Sequence, residues 1–189
     1  MDNQSQERTL FLLKPDGVKK GLIGELIKRI ENTGLKILGL KVVKADRDLV
    51  LEHLPKSDEW MANMGKKTLG DYEKTGLDPV KEMGTADPLE LGKQIKEWLV
   101  EYYTTGPIVA GVAEGHRAIE VVRKIMGNTI PINADAGTFR GDYAIDSPSL
   151  ANKEKRAISN MTHASGDPEE AANEIKTWFK EEELVDYSK

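Results

Sequence analysis

The chain has 189 residues, 27 Lys+Arg against 32 Asp+Glu for a formal net charge of -5, three His and no Cys. That length suits one domain with an elaboration, and 39% hydrophobic residues with 17 Gly leave material for a real core. Without Cys there is no disulfide framework, thiolate nucleophile, thiolate zinc site or iron–sulfur cluster. The acidic balance argues against nucleic acid or an anionic membrane as partner.

The first nine residues, MDNQSQERT, lack the apolar stretch of a signal peptide. The longest uncharged apolar runs, Thr9–Leu13 and Pro107–Ala113, fall far short of a membrane span. A cytoplasmic protein is expected. The sequons at Asn3 and Asn160 read as chance matches, and Arg140-Gly141-Asp142 as a turn.

Thr9–Leu13 reads as a buried strand closed by the turn Lys14-Pro15-Asp16-Gly17. Leu22, Ile23, Leu26, Ile27 and Ile30 share one face of a helix that stops before Gly34. Leu35–Val43 is a second strand, and 46–54 a short helix. Over 56–85 the chain is polar, with Gly65, Gly70, Gly76 and Gly84 scattered through it. Asp87-Pro88 caps an amphipathic helix over 87–104 carrying Leu91, Ile95, Trp98, Leu99 and Tyr102. Pro107–Ala113 is a third strand, about 117–126 a helix, and 127–141 a loop. The sequence allows a short fourth strand at Gly141–Ile145. Asp167-Pro168-Glu169-Glu170 opens a last helix whose apolar face holds Ala171, Ala172, Ile175, Trp178 and Phe179. Alternating strands and helices place the chain in the α/β or α+β class.

No P-loop, dinucleotide fingerprint, nucleophile elbow or close His pair occurs. What remains is a scatter of polar residues at segment ends: Lys14, Arg123, Thr129, Arg140, Asn160 and His163. Taken singly, each is better read as ordinary: a solvated strand-end Lys, an Arg favouring a helix C-terminus, a packing His. His53 and His116 have little context beyond a helix and a turn. His163 has more, since it precedes a helix N-terminus, where an anion is favoured. Glu174, flanking the apolar face of that helix, could accept a hydrogen bond from its imidazole and hold one tautomer. A positioned neutral imidazole can attack phosphorus, and Lys14, Arg123 and Arg140 would supply the positive charge that phosphoryl transfer needs.

Seven segments, in order, carry a resemblance: RTLFLLKPDGV (8–18), GLIGELIKR (21–29), GPIVAGV (106–112), GNTIP (127–131), GTFRGD (137–142), NMTHAS (160–165) and EIKTWF (174–179). Together they resemble the nucleoside diphosphate kinase family over nearly the whole chain. The resemblance implies a single ferredoxin-like sandwich over 1–189: a four-stranded antiparallel sheet plus a mostly helical insertion. It also implies ping-pong transfer of the γ-phosphate from a nucleoside triphosphate, usually ATP, to a nucleoside diphosphate through a phosphohistidine on His163. Glu174 and Ser165 would orient that ring. Lys14 would meet the ribose hydroxyl and phosphate region, Asn160 the ribose hydroxyl, and Arg123, Thr129 and Arg140 the β- and γ-phosphates. Mg²⁺ would arrive on the nucleotide. A homo-oligomer, hexamer or tetramer, is implied.

The chain also departs from that pattern. Leu54 stands where similar sequences carry Tyr, and Ala136 where some carry Pro. The chain is enlarged at about 55–104, where the base-stacking Phe is otherwise found, and again at about 146–159. Trp60 and Tyr72 are candidates to stack on the base. The larger enlargement is expected to be mostly helical and to pack beside the base. Two other readings are a nucleotide-binding regulatory module of the same fold without turnover, and a ferredoxin-like RNA-binding domain. Acidity and the missing aromatic RNA-binding pattern weigh against the second.

Overall fold

The computed structural model describes residues 6–187. In chain order the elements are β1 (Gln6–Leu13), α1 (Pro15–Lys19), α2 (Ile23–Glu31), β2 (Lys36–Val43), α3 (Arg47–His53), α4 (Asp58–Thr75), α5 (Pro79–Met83) and α6 (Pro88–Thr104). They continue with β3 (Ile108–His116), α7 (Ala118–Met126), α8 (Phe139–Tyr143), α9 (Pro148–Lys153), β4 (Thr162–Ala164) and α10 (Pro168–Trp178). The strands form one antiparallel sheet in the order β2-β3-β1-β4. That is the arrangement expected for a ferredoxin-like sandwich.

β1 is central because residues 9–13 are buried on both faces of the sheet. Side chains alternate across a strand, so its two apolar sets feed two cores. Leu10 and Leu12 join Leu38, Val50, Val100, Tyr103 and Trp178, which brings α3, α6 and α10 onto one face. Phe11 and Leu13 join Leu26, Ile30, Val122, Met126 and Phe139, which brings α2, α7 and α8 onto the other. Each such fully buried side chain contributes roughly 1.5–3 kcal/mol over its exposed state.

The fourth strand does not lie where the sequence allowed it. Residues 139–143 are helical, because Thr138 caps α8 by accepting the Gly141 N–H on its hydroxyl at 3.2 Å. The strand is Thr162–Ala164, paired on β1 with Leu12 opposite His163.

Residues 58–75, polar and glycine-dotted, form the long helix α4, capped by Ser57 and ended by Gly76 in the left-handed region (φ 68). Two glycines lie at a close crossing of helices. A Cβ added at Gly65 would strike the Pro88 carbonyl oxygen, and one at Gly92 the Met61 carbonyl oxygen. α4 and α6 therefore touch backbone to backbone, with Tyr72, Met83 and Leu91 as their own small core. The enlargement at 146–159 packs against α4, where Asn152 Nδ2 donates to Asp71 Oδ2 at 3.0 Å. Among the described residues no helix is long and apolar enough to cross a membrane.

Candidate active site

His163 pairs with Leu12 in the ladder, so it points to the face of the sheet that α3, α6 and α10 cover. Ser165, two residues on, shares that face, and its hydroxyl is wholly buried. Glu174 reaches the same place from α10, one turn before Trp178. His163 Nε2 lies 2.6 Å from Glu174 Oε1, at hydrogen-bond length although the N–H is not well aligned on the oxygen. Ser165 Oγ donates to Glu174 Oε2 at 2.5 Å. The residues expected to orient His163 are thus in contact with it or with its partner.

His53 is the residue that the sequence undervalued. It ends α3, its side chain is 1% exposed, and its Nδ1 sits 3.4 Å from the same Glu174 oxygen. Its ring meets His163 edge to face with 4.6 Å between centroids. One signal was available: a His closing a helix between buried Val50 and buried Leu54 faces the core rather than water.

Cations line the other side. Lys14 follows β1 and is 5% exposed, and its Nζ donates to Asn160 Oδ1 at 2.7 Å. Asn160 Nδ2 in turn donates to the Thr129 carbonyl at 3.0 Å, which ties the exposed Thr129 loop to the site. Buried Arg140 donates to three backbone carbonyls, of Gly127 (2.7 Å), Thr162 (2.8 Å) and Asn160 (3.1 Å). Its charge therefore sits locked beside the His163 strand. Arg123, on the last turn of α7, is exposed and lines a 360 Å³ hollow with Gly166 and Asp167. Met161 holds a left-handed backbone (φ 58), unusual for a side chain of its size. Such strain costs about 1–3 kcal/mol and collects at functional sites. Here the Met161 carbonyl accepts from Lys14 N at 2.7 Å.

Burial and charge set the protonation states. Burial, then Lys14, Arg140 and Arg123, hold His163 down at about 3. Burial and the His163 neighbour hold His53 down at about 3 against the pull of Glu174. Both rings are therefore neutral near pH 7. Burial, then Arg140, push Lys14 down to about 7, with Asp16 opposing. Burial raises Glu174, while His53 and the Ser165 hydroxyl oppose that rise.

His53, His163 and Glu174 bring ligand atoms within 4.8 Å of one another. The 2.6 Å His163–Glu174 contact has hydrogen-bond length, shorter than the roughly 3.4 Å between two donors each about 2.1 Å from one tetrahedral ion. Around His163, Lys14, Arg123 and Arg140 present cations rather than a carboxylate cage for a resident ion.

The sequence profile described as "Nucleoside diphosphate kinase" matches residues 7–62 and 90–184. The chain belongs to the nucleoside diphosphate kinase family. The nucleoside diphosphate kinase of Pyrobaculum aerophilum is 51% identical over 180 residues, covering 95% of this chain and 98% of that protein. The one from Pyrococcus furiosus is 39% identical over 183 residues, covering 97% and 89%. Among solved structures, an NDP kinase from Pyrobaculum aerophilum superposes with a TM-score of 0.93 at 49% identity, covering 96% of this chain and all of that one. A transition-state mimic of the Borrelia burgdorferi nucleoside-diphosphate kinase, with bound vanadate and ADP, gives 0.76 at 32% identity, covering 99% and 95%.

The stretch that the nucleoside diphosphate kinase profile passes over, 63–89, lies in α4, α5 and the turn into α6. Within it Tyr72 is 1% exposed, sealed between α4 and α6, and has no face to offer a base. Trp60, half-buried at the start of α4, is the aromatic candidate that remains. Leu54 is 6% exposed and packs into the core beside Val50, so no hydroxyl enters the site at that position. Ala136 is exposed.

Proposed function

We propose that this chain carries the terminal phosphate of a nucleoside triphosphate to a nucleoside diphosphate by way of His163. The observation that carries the reading is the 2.6 Å contact of His163 Nε2 with Glu174 Oε1. With the ring proton held on Nε2, the lone pair stays on Nδ1.

In the first half-reaction, Nδ1 attacks the γ-phosphorus. The N–P bond forms as the bond to the β,γ-bridging oxygen breaks, and the nucleoside diphosphate leaves with that electron pair. The ring, substituted on both nitrogens, gains positive charge, which the Glu174 carboxylate faces. In the second, a terminal oxygen of another nucleoside diphosphate attacks the same phosphorus and Nδ1 regains its pair. Lys14, Arg123 and Arg140 offset charge on the phosphates throughout, with Asn160 and Thr129 as polar contacts. Mg²⁺ carried by the nucleotide would add further neutralisation there. The base would lie between the two enlargements, which meet at Asp71 and Asn152, with the end of α6 reaching Lys14.

β2 is an edge strand whose Leu40 and Val42 are 47% and 66% exposed, which supports self-association through that edge into a hexamer or tetramer. Cysteine-free composition and nucleotide chemistry support action in the cytoplasm.

Incubation with ATP and Mg²⁺ should leave an acid-labile, base-stable phosphate on the protein, seen by intact mass. The label should vanish in His163→Ala and transfer to a panel of diphosphates. A label that persists in His163→Ala would overturn the mechanism. A label that transfers to no diphosphate would favour the regulatory module.

A further inference from the structure

Lys14 raises a question that the proposed chemistry leaves open. An ammonium 5% exposed, with Arg140 as a repelling neighbour, is costly to keep charged. Its side-chain hydrogen bond runs to a neutral acceptor, Asn160 Oδ1. Something else must compensate the lost water.

The last turn of α6 supplies two rings. Lys14 Nζ lies 4.8 Å from the centroid of Tyr103 and 5.2 Å from that of Tyr102. Both distances fall within cation–π range. The rings stand at 83° to each other, 6.0 Å apart, so they form two walls of a corner. Each is anchored elsewhere. The Tyr102 hydroxyl accepts the Met161 N–H at 3.2 Å, which braces the left-handed residue two before His163. Tyr103 is 2% exposed, and its ring packs on His53 at 5.6 Å. Leu54, by contrast, turns an apolar side chain into the core.

We propose that Tyr102 and Tyr103 form an aromatic clamp that holds the Lys14 ammonium in place as a cation facing the phosphates. The clamp rests on the reading that Lys14 meets phosphate. Both tyrosines are positioning residues that act through Lys14. The other titratable groups around Lys14 are Asp16 from α1, Arg140 from α8, His163 from β4 and His53 from α3. Asp16 alone among these favours the cation.

The test compares Tyr103→Leu, Tyr103→Met and Tyr103→Phe in the full chain, with circular dichroism to check folding. Two readouts are taken: KM for ADP against kcat, and the pH at which Lys14 is half-labelled by trace acetic anhydride, read by peptide mass. Loss of the ring face should raise KM by about 2- to 30-fold, as cation–π contacts of roughly 0.5–2 kcal/mol imply, while kcat changes less than about twofold. The Lys14 labelling midpoint should fall below its wild-type value. Tyr103→Phe, which keeps the face, should recover most of both effects. If Tyr103→Leu folds poorly, Tyr103→Met, closer in volume, carries the comparison. A wild-type KM and midpoint in a folded Leu or Met variant would overturn the clamp, as would a Phe variant as impaired as Leu. If the wild-type protein forms no phosphohistidine, the proposed function fails instead, and the labelling midpoint still judges the clamp.

Discussion

His53 and His163 meet edge to face, 88° between ring planes, and both direct a nitrogen at one oxygen, Glu174 Oε1. A carboxylate shared between two neutral rings cannot swing toward either without leaving the other. We expect His53 to act as a stop that keeps Glu174 beside His163, by contact rather than by an aligned hydrogen bond.

Substituting His53→Phe should keep the volume and remove that stop. The single-turnover rate of His163 phosphorylation is expected to fall about 10-fold, the scale of losing one supporting contact to a reacting group. Affinity for ADP should stay within about twofold, since no nucleotide contact is lost. An unchanged phosphorylation rate would show that Glu174 needs no second imidazole.

Removing the charge at Glu174 acts more directly. Glu174→Gln leaves an amide that cannot offset the positive charge on the phosphorylated ring. We expect kcat to drop by about 10²- to 10³-fold, the usual cost of one preorganised electrostatic group, with Tm within a few degrees of wild type. Stopped-flow loss of intrinsic tryptophan signal or a coupled assay measures it.

The acid limb of stability should come from the two histidines. Their folded values, about 3, lie below the roughly 6.5 of an unfolded chain. Between those values the unfolded state binds more protons, so stability falls as pH drops from about 6.5 toward 3. His53→Phe should flatten that slope by one proton. Denaturant midpoints measured from pH 7 to pH 4 give the answer.

Lys14 carries the opposite trade. Its folded value of about 7 lies below that of a free Lys, so the unfolded chain binds the extra proton and stability rises with pH from about 7 to 10.5. Lys14→Met should raise Tm by a few degrees while nearly abolishing activity, the usual exchange at functional sites. In wild type, KM for nucleotide should climb above about pH 7 as the cation is lost. A flat KM to pH 9 would count against Lys14 as a phosphate contact.

The helical enlargement can be tested alone. Gly92→Leu forces a side chain against the Met61 carbonyl and should prise α4 from α6. A loss of several kcal/mol, or early melting of 58–104 in hydrogen exchange, is the expected result.

Local patterning alone revealed much of this molecule. TLFLL announced a buried strand and Asp87-Pro88 and Asp167-Pro168 two helix starts, while the roles of His163 and Glu174 came only from the resemblance carried by NMTHAS and EIKTWF. The strand and the helix starts are short-range signals, set by period, cap and turn chemistry within a few residues. The enlargement is mostly helical as expected, but the bounds of α4 escaped, because Gly65 on α4 and Gly92 on α6 admit a crossing between segments 27 residues apart and no local rule sees that. The 139–143 helix escaped because a Thr138 cap outweighed strand-like composition. His53, Tyr102 and Tyr103 entered the site by tertiary packing alone. The sequence by itself carried the family resemblance that proposes His163 as the reacting residue and Glu174 as its partner. The tertiary structure decided what surrounds the buried Lys14 and what shares Glu174, because burial and ring contacts arise between distant segments only when α3, α6 and α10 close over one face of the sheet.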